Sequence, residues 1–189
     1  PSRGLGDVYK RQSKFSVTGS GARAWLDRIM AGRIPDLGRV SLAPMLSPKG
    51  RLIGDFTISC LGEEEFQLTS SYGYQSVHER WLRSHLEAGI DIENISDRRT
   101  GFQIAGPMAR TVLAEVTRAD VSAESFLFMD VKRMTVGMCD CIVQRLSYTG
   151  DLGYEIYTDA MDQRSLWGHA LCCRSEARYA TFWDARNDE

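Results

Sequence analysis

The 189-residue sequence lacks the features that mark membrane, secreted and nucleic-acid-binding proteins. No apolar run approaches the roughly 20 residues that a membrane-spanning helix needs, and no charged-then-apolar signal segment opens the chain. A net charge of −2 provides no basic surface of the kind that binds nucleic acid. We therefore expect a soluble, cytoplasmic protein whose partners include neither a membrane nor a nucleic acid.

Cysteine and histidine are too few and too scattered to indicate a metal centre or a disulfide framework. The five cysteines follow no framework spacing, which suits a reducing compartment. Cys139 and Cys141 lie on one face of a predicted strand and offer only two of the four ligands of structural zinc, so we interpret them as core residues. His78 and His85 have no carboxylate or cysteine neighbours at ligand spacing, and we assign them to the surface or boundary of a helix. No metal site is predicted.

What the chain does contain is a series of short strands with helices between them. Hydrophobic residues make up 43% of the sequence and charged residues 25%, which is enough for one compact domain or two small packed ones. Turn-forming runs such as Ser47-Pro48-Lys49-Gly50 separate strand-forming segments and predict antiparallel hairpins. Strands are predicted over 13–18, 41–46, 52–61, 65–69, 132–136 and 139–147, and helices over 22–30 and 74–88.

One segment of the chain is repeated. Phe15 to Leu26 aligns with Phe102 to Leu113 at a constant offset and shares Phe, Gly, Ala, Arg and Leu with it. In each copy a strand ends at a glycine and enters a helix, and the second helix begins near Pro107, where a missing N–H has little effect. The repeat predicts two related halves, at 13–95 and 96–171.

The segment from Arg145 to Tyr157 is the most distinctive stretch of the second half. Gln144 to Tyr148 is rich in strand formers, two glycines follow, and a second strand is predicted over 154–158. Alternation places Glu155 and Tyr157 on one face of that strand and Tyr154 on the other. By composition alone this would be a solvated hairpin with an outward glutamate.

The same segment resembles the signature of a known superfamily. The run Tyr148-Thr-Gly-Asp-x-Gly-Tyr-Glu-Ile156 is similar to a motif of the glycine-cleavage T-protein (aminomethyltransferase) superfamily, whose members bind tetrahydrofolate. The runs 22–29 and 44–57 most resemble the folate domain of dimethylglycine and sarcosine dehydrogenases. The resemblance covers about Ser13 to Ala170. It implies an α+β fold of two pseudo-repeated antiparallel sheet-and-helix halves, here truncated.

The resemblance also implies roles for individual residues. Asp55 matches a catalytic carboxylate beside folate N5, where a carboxylate can relay a proton and stabilise positive charge. Glu155 matches the residue that accepts hydrogen bonds from the 2-amino and ring N–H groups of the pterin. Tyr148 and Tyr154 either pack on the rings of the folate or belong to the core. Arg145 has no assigned contact, and Leu42 replaces a hydroxyl-bearing residue of some members.

Three functions are compatible with this resemblance. The first is the tetrahydrofolate-binding, one-carbon-accepting domain of an FAD-dependent dimethylglycine or sarcosine dehydrogenase, which forms 5,10-methylenetetrahydrofolate. Because the sequence has no Gly-x-Gly-x-x-Gly fingerprint, FAD is expected in a separate N-terminal domain of the parent enzyme, in cis. The second is a stand-alone aminomethyltransferase, which Gly54-Asp55 in place of an Asp-Asp pair disfavours. The third, a non-catalytic folate-binding protein of iron–sulfur maintenance, is disfavoured because its motif cysteine is absent.

The two ends of the sequence match the family least. Residues 1–12 have no periodicity and read as a non-native adapter or linker. Residues 172–189 depart from the pattern expected after Leu171, and we hypothesise a frameshift there that removes a folate-anchoring arginine. On this hypothesis the chain by itself is expected to be inactive.

Overall fold

The computed structural model describes the backbone of residues 12–172 and 181–183 and the side chains of residues 12–168. The chain divides into two units, the first formed by Arg11–Asp97 and the second beginning at Arg98. Each unit has a hydrophobic core of its own. No helix within the described ranges is long and apolar enough to cross a membrane.

The first unit is a five-stranded antiparallel sheet with two helices. Its sheet order is β2-β3-β4-β1-β5, and every pairing in it is antiparallel. The elements in chain order are β1 (Gln12–Gly19), α1 (Ala22–Ile29), β2 (Val40–Leu46), β3 (Leu52–Gly62), β4 (Glu65–Ser71), α2 (Gln75–Ser84) and β5 (Ile90–Asn94). One face of the sheet packs with the helices around Trp25, Phe56 and Leu82.

The second unit repeats this arrangement. Its elements are β6 (Arg99–Ala105), α3 (Ala109–Val116), β7 (Val131–Val136), β8 (Cys139–Gln144), β9 (Gly153–Asp159), α4 (Gln163–Cys172) and β10 (Thr181–Trp183). The sheet order is β10-β6-β9-β8-β7, which is the order of the first sheet with β6 to β10 in place of β1 to β5. The predicted α+β fold of two pseudo-repeated antiparallel halves is therefore confirmed, and the repeat extends from sequence to topology.

Two predicted elements are shorter in the structure. The helix predicted over 74–88 is preceded by a 3₁₀ turn at Tyr72–Tyr74 and ends at Ser84. The strand predicted over 139–147 ends at Gln144. The reason is that the backbone N–H of Arg145 donates to Asp130 O (2.8 Å) and its carbonyl accepts from Met129 N (3.0 Å). These bonds join Arg145 to the residues before β7, and a loop over 145–152 replaces the predicted tight hairpin.

The two terminal hypotheses fall mostly outside the described residues. Of residues 1–12, only Gln12 is described, as the first residue of β1. Of residues 172–189, the described backbone comprises Cys172 at the end of α4 and Thr181–Trp183 in β10, which pairs with β6. The adapter and the frameshift remain predictions.

Candidate functional site

The face of the second sheet opposite its core carries a row of buried polar side chains. Glu155 on β9 lies directly between Gln103 on β6 and Gln144 on β8 in the pairing register. The three residues are 6% exposed or less. We call them the polar row. Buried polar groups in proteins are normally satisfied by hydrogen bonds, so such a row indicates either an internal network or a ligand site.

Glu155 is oriented by a tyrosine of its own strand. Tyr157 lies two residues along β9 on the same face, and its hydroxyl donates to Glu155 Oε2 at 2.6 Å. Both side chains are buried. A short hydrogen bond to a carboxylate is stronger than one between neutral groups, and it holds the acceptor in one rotamer. Tyr157 therefore positions the carboxylate.

The side-chain amide of Gln103 has an N–H donor that no other group of the described chain accepts. Its Nε2 atom is buried and has no hydrogen-bond partner. A buried donor in that state destabilises the fold by about 1–3 kcal/mol. Sequence analysis missed Gln103, Gln144 and Tyr157 as site residues, because only the pairing of β6, β8 and β9 places them around Glu155.

The two tyrosines of the motif lie in different environments. Tyr154 points to the opposite face of β9 from Glu155, where it is fully buried in the second core and packs on Phe126, with ring centroids 5.5 Å apart. Burial raises the pKa of Tyr154. Tyr148 is 68% exposed on the loop that precedes β9. Tyr154 and Glu155 thus lie on opposite faces of β9, and only Tyr148 of the two tyrosines has an exposed ring.

The glycine before Tyr154 is required by close packing. A Cβ atom at Gly153 would lie 2.5 Å from Ser147 Cβ, closer than real contacts allow, and a tight 3.0 Å from Ile104 O. Ser147 in turn donates from Oγ to Asp151 O at 2.6 Å, which closes the loop. At the start of this loop the Arg145 guanidinium donates to Phe126 O, the contact that sequence analysis could not assign. The motif therefore anchors the strand that carries Glu155.

Asp55, the predicted catalytic carboxylate, lies in the first unit and is exposed. It is on β3, opposite Pro44 of β2, on the face of the sheet that points away from the first core. Its backbone carbonyl accepts a hydrogen bond from Ser70 Oγ at 2.7 Å. Leu42, on the same face of β2, is 67% exposed. The backbone of Asp55 is thereby held while its side chain faces solvent.

The assignment of His78 to a helix surface is wrong. His78 is 1% exposed, and its Nε2 lies 3.1 Å from Ile53 O. The ring also fills the space beside Gly54, where a Cβ atom would lie 2.4 Å from Nε2. Burial lowers the pKa of His78 against the opposing effect of the bond to Ile53. His85, by contrast, is exposed as predicted.

The two cysteines of β8 are part of the second core. Cys139 and Cys141 are 2% and 4% exposed and belong to its hydrophobic cluster, in agreement with their interpretation as packing residues. Desolvation raises the pKa of Cys141 to about 11. Among the described residues, no group of three or more histidine, cysteine or acidic side chains is arranged to hold a metal ion.

Comparison with known families identifies the fold's relatives. Residues 2–177 match the family described as the GCVT N-terminal domain. The chain belongs to this family. It is 34% identical over 157 residues to human mitochondrial dimethylglycine dehydrogenase, covering 82% of this chain and 18% of the relative. It is 30% identical over 167 residues to the aminomethyltransferase of Bacillus subtilis, covering 87% of this chain and 45% of that enzyme. The chain thus spans only part of the length of both relatives.

Two solved structures share the fold. Glycine cleavage system aminomethyltransferase T from Bartonella henselae matches with a TM-score of 0.76 at 20% identity, over 90% of this chain and 45% of that one. Heterotetrameric sarcosine oxidase from Corynebacterium sp. U-96 matches with a TM-score of 0.70 at 19% identity, over 87% of this chain and 80% of that one. At these identities the likeness concerns the fold alone. The chain is an aminomethyltransferase-like domain related to dimethylglycine dehydrogenase and the glycine-cleavage T protein.

Proposed function

We propose that this chain is the tetrahydrofolate-binding, one-carbon-accepting domain of an FAD-dependent dimethylglycine or sarcosine dehydrogenase-like enzyme. The observation that carries the proposal is the buried Glu155, held by Tyr157 at 2.6 Å within the motif that resembles a folate-binding signature. A carboxylate kept out of water in this way is suited to a ligand that presents adjacent N–H donors. The 2-amino and N3–H groups of a pterin form such an edge.

The polar row fits a pterin in a second respect. The unpartnered Nε2 of Gln103 lies beside Glu155 in the register, so a ligand with hydrogen-bonding groups of its own would satisfy it. Tyr148 offers an exposed ring on which flat parts of a folate can pack. Tyr154 supports β9 from the core side, which favours the core alternative for this residue.

Asp55 is proposed to carry the chemistry. When bound, tetrahydrofolate supplies the secondary amine that accepts the one-carbon unit. Asp55 has an exposed carboxylate on an anchored strand, so it can take a proton and stabilise neighbouring positive charge. We place FAD in a separate domain of the parent enzyme, in cis. The product proposed for the whole enzyme is 5,10-methylenetetrahydrofolate.

A stand-alone aminomethyltransferase is the second candidate, supported by the Bacillus subtilis relative. The packing around Gly54 favours the dehydrogenase. An aspartate at position 54, as in the Asp-Asp pair of aminomethyltransferases, would collide with His78, whose Nε2 lies 2.4 Å from an added Cβ. An aspartate at position 54 would therefore require His78 to move, whereas Asp55 has open space on the other face of β3.

The proposal is tested by calorimetric titration of the full parent enzyme with tetrahydrofolate. Glu155→Gln keeps the shape of the side chain but turns one acceptor into a donor that faces the pterin's own donors. We expect affinity to fall roughly ten- to a hundredfold. Glu124→Gln, which makes the same change at an exposed position of the second unit outside the motif, should leave affinity unchanged. Equal affinity of wild type and Glu155→Gln would remove Glu155 from the site.

A further inference from the structure

The unpartnered amide of Gln103 has a definite place relative to Glu155. The two residues lie directly opposite each other on neighbouring antiparallel strands, so their Cβ atoms are about 4.5–5.5 Å apart. Both side chains are buried, at 6% and 5% exposure. The Nε2 atom of the Gln103 amide is buried and has no hydrogen-bond partner. The row therefore presents a donor next to the carboxylate acceptors.

This order of groups matches the edge of the pterin ring that carries the 2-amino group. A 2-amino-4-oxopteridine presents, in sequence, an amino donor, an N3–H donor and a C4 carbonyl acceptor. Glu155 complements the two donors, and the Nε2 of Gln103 complements the carbonyl beside them. A 4-amino pteridine has a donor in place of the carbonyl, and that donor would face the donor of Gln103.

We propose that Gln103 is a specificity-determining residue that donates from Nε2 to the 4-oxo group of the pterin, alongside the Glu155 contact. The inference rests on the proposed folate function and extends it to the substituent at C4 of the pteridine ring. It also accounts for the burial of an unused donor in the ligand-free chain, because the ligand supplies the missing acceptor.

The test compares two ligands and two glutamine variants, made in the full parent enzyme. Folic acid and aminopterin differ at the pteridine C4 substituent, which is oxo in the first and amino in the second. Gln103→Met removes the donor while keeping the length of the side chain. We expect it to lower the affinity for folic acid about fivefold to tenfold and to affect aminopterin less. Gln163→Met, which changes another buried glutamine of the second unit, should leave both affinities unchanged.

Thermal unfolding of the ligand-free proteins separates a ligand role from a structural one. Because the Gln103 donor is unpartnered, replacing it with an apolar side chain should leave the Tm unchanged or raise it. A lowered Tm, an unchanged folic acid affinity, or an equal loss for both ligands would overturn the inference about Gln103. If the wild-type parent enzyme binds neither ligand at millimolar concentration, the proposed folate function fails with it. Binding that depends on Glu155 but not on Gln103 refutes only the inference.

Discussion

At the scale of single residues, burial distinguishes the two carboxylates of the proposed function. Glu155 is 5% exposed and accepts a hydrogen bond from Tyr157, so the direction of its carboxyl group is fixed. Asp55 is exposed and only its backbone is held by Ser70. A buried carboxyl group held in one orientation is suited to ligand recognition, whereas an exposed carboxyl group can exchange protons with solvent. We therefore expect mutation of Glu155 to lower folate affinity and mutation of Asp55 to lower the rate of product formation.

Asp55→Ala, made in the full parent enzyme, tests that separation. We expect formation of methylenetetrahydrofolate to fall about 100-fold, as the loss of a positioned acid or base does, with folate affinity largely intact. Product formation and calorimetric affinity are measured on the same preparation. Asp27→Ala, at an exposed position of α1, is the matched control and should change neither. Undiminished product formation by Asp55→Ala would show that its catalytic role is wrong.

At the scale of elements, α2 packs on β3 through His78, whose ring lies against Gly54. The His78 ring lies in contact with Gly54, near Phe56 with ring centroids 4.9 Å apart, and bonded to Ile53 O. The residues it contacts flank Asp55 on both sides. The helix therefore supports the stretch of strand that carries the proposed catalytic group, and a buried imidazole makes that support sensitive to pH.

The pH dependence follows from the lowered pKa of His78. Above its ordinary pKa of 6.5 the ring is neutral in the folded and unfolded states, and its contribution to stability is fully present. As the pH falls below 6.5, the unfolded chain binds a proton that the folded chain resists. The free energy of unfolding should then decrease, by at most about 1.4 kcal/mol per pH unit, until the folded pKa is reached.

Denaturant unfolding between pH 8 and pH 5 measures this effect. His78→Gln keeps a donor for Ile53 O but does not titrate, so its free energy of unfolding should decrease less across that range than that of wild type. His85→Gln, which changes an exposed histidine at the end of α2, should follow the wild-type curve. Parallel curves for wild type and His78→Gln would contradict the buried neutral state of His78.

At the scale of the whole molecule, the two units share a sheet order but differ in the polar row. In the first unit the equivalent positions are Ser16, Gln67 and Ser59, paired across β1, β4 and β3. The central residue is thus an amide in the first unit and the carboxylate Glu155 in the second. A repeated fold with one altered charge gives only the second row an anionic group, which is why the pterin edge is proposed there.

In the parent enzyme, the proposed separation of FAD and folate into different domains predicts two partial reactions that can be measured independently. Glu155→Gln should leave the reduction of an electron acceptor by a methylated glycine unchanged, because that step belongs to the proposed FAD domain. The yield of 5,10-methylenetetrahydrofolate at limiting folate should fall roughly ten- to a hundredfold, following the lost affinity. Both readouts are taken from one reaction. Absence of any acceptor reduction by the wild-type parent would favour the aminomethyltransferase alternative instead.

The types of neighbouring residues in the sequence were enough to predict most strands and the two-part organisation of the fold. Turn residues and strand formers marked most strands to within one or two residues, and the shared residues of Phe15–Leu26 and Phe102–Leu113 indicated two halves. These signals reside in neighbouring residues, so they survive without knowledge of the tertiary structure. The same locality explains the errors at α2 and β8. The end of β8 depends on bonds from Arg145 to the distant loop at Met129 and Asp130.

The sequence by itself determined the family motif, the hairpins and which residues alternate on each strand. Only the tertiary structure decided which strands are neighbours and in what register. That register places Gln103 beside Glu155 and Gln144 on its other side, and the packing of α2 against β3 buries His78 on Gly54. The physical reason is that a strand's period of two assigns a side chain to a face, whereas its neighbours are set by hydrogen bonds between segments far apart in the chain.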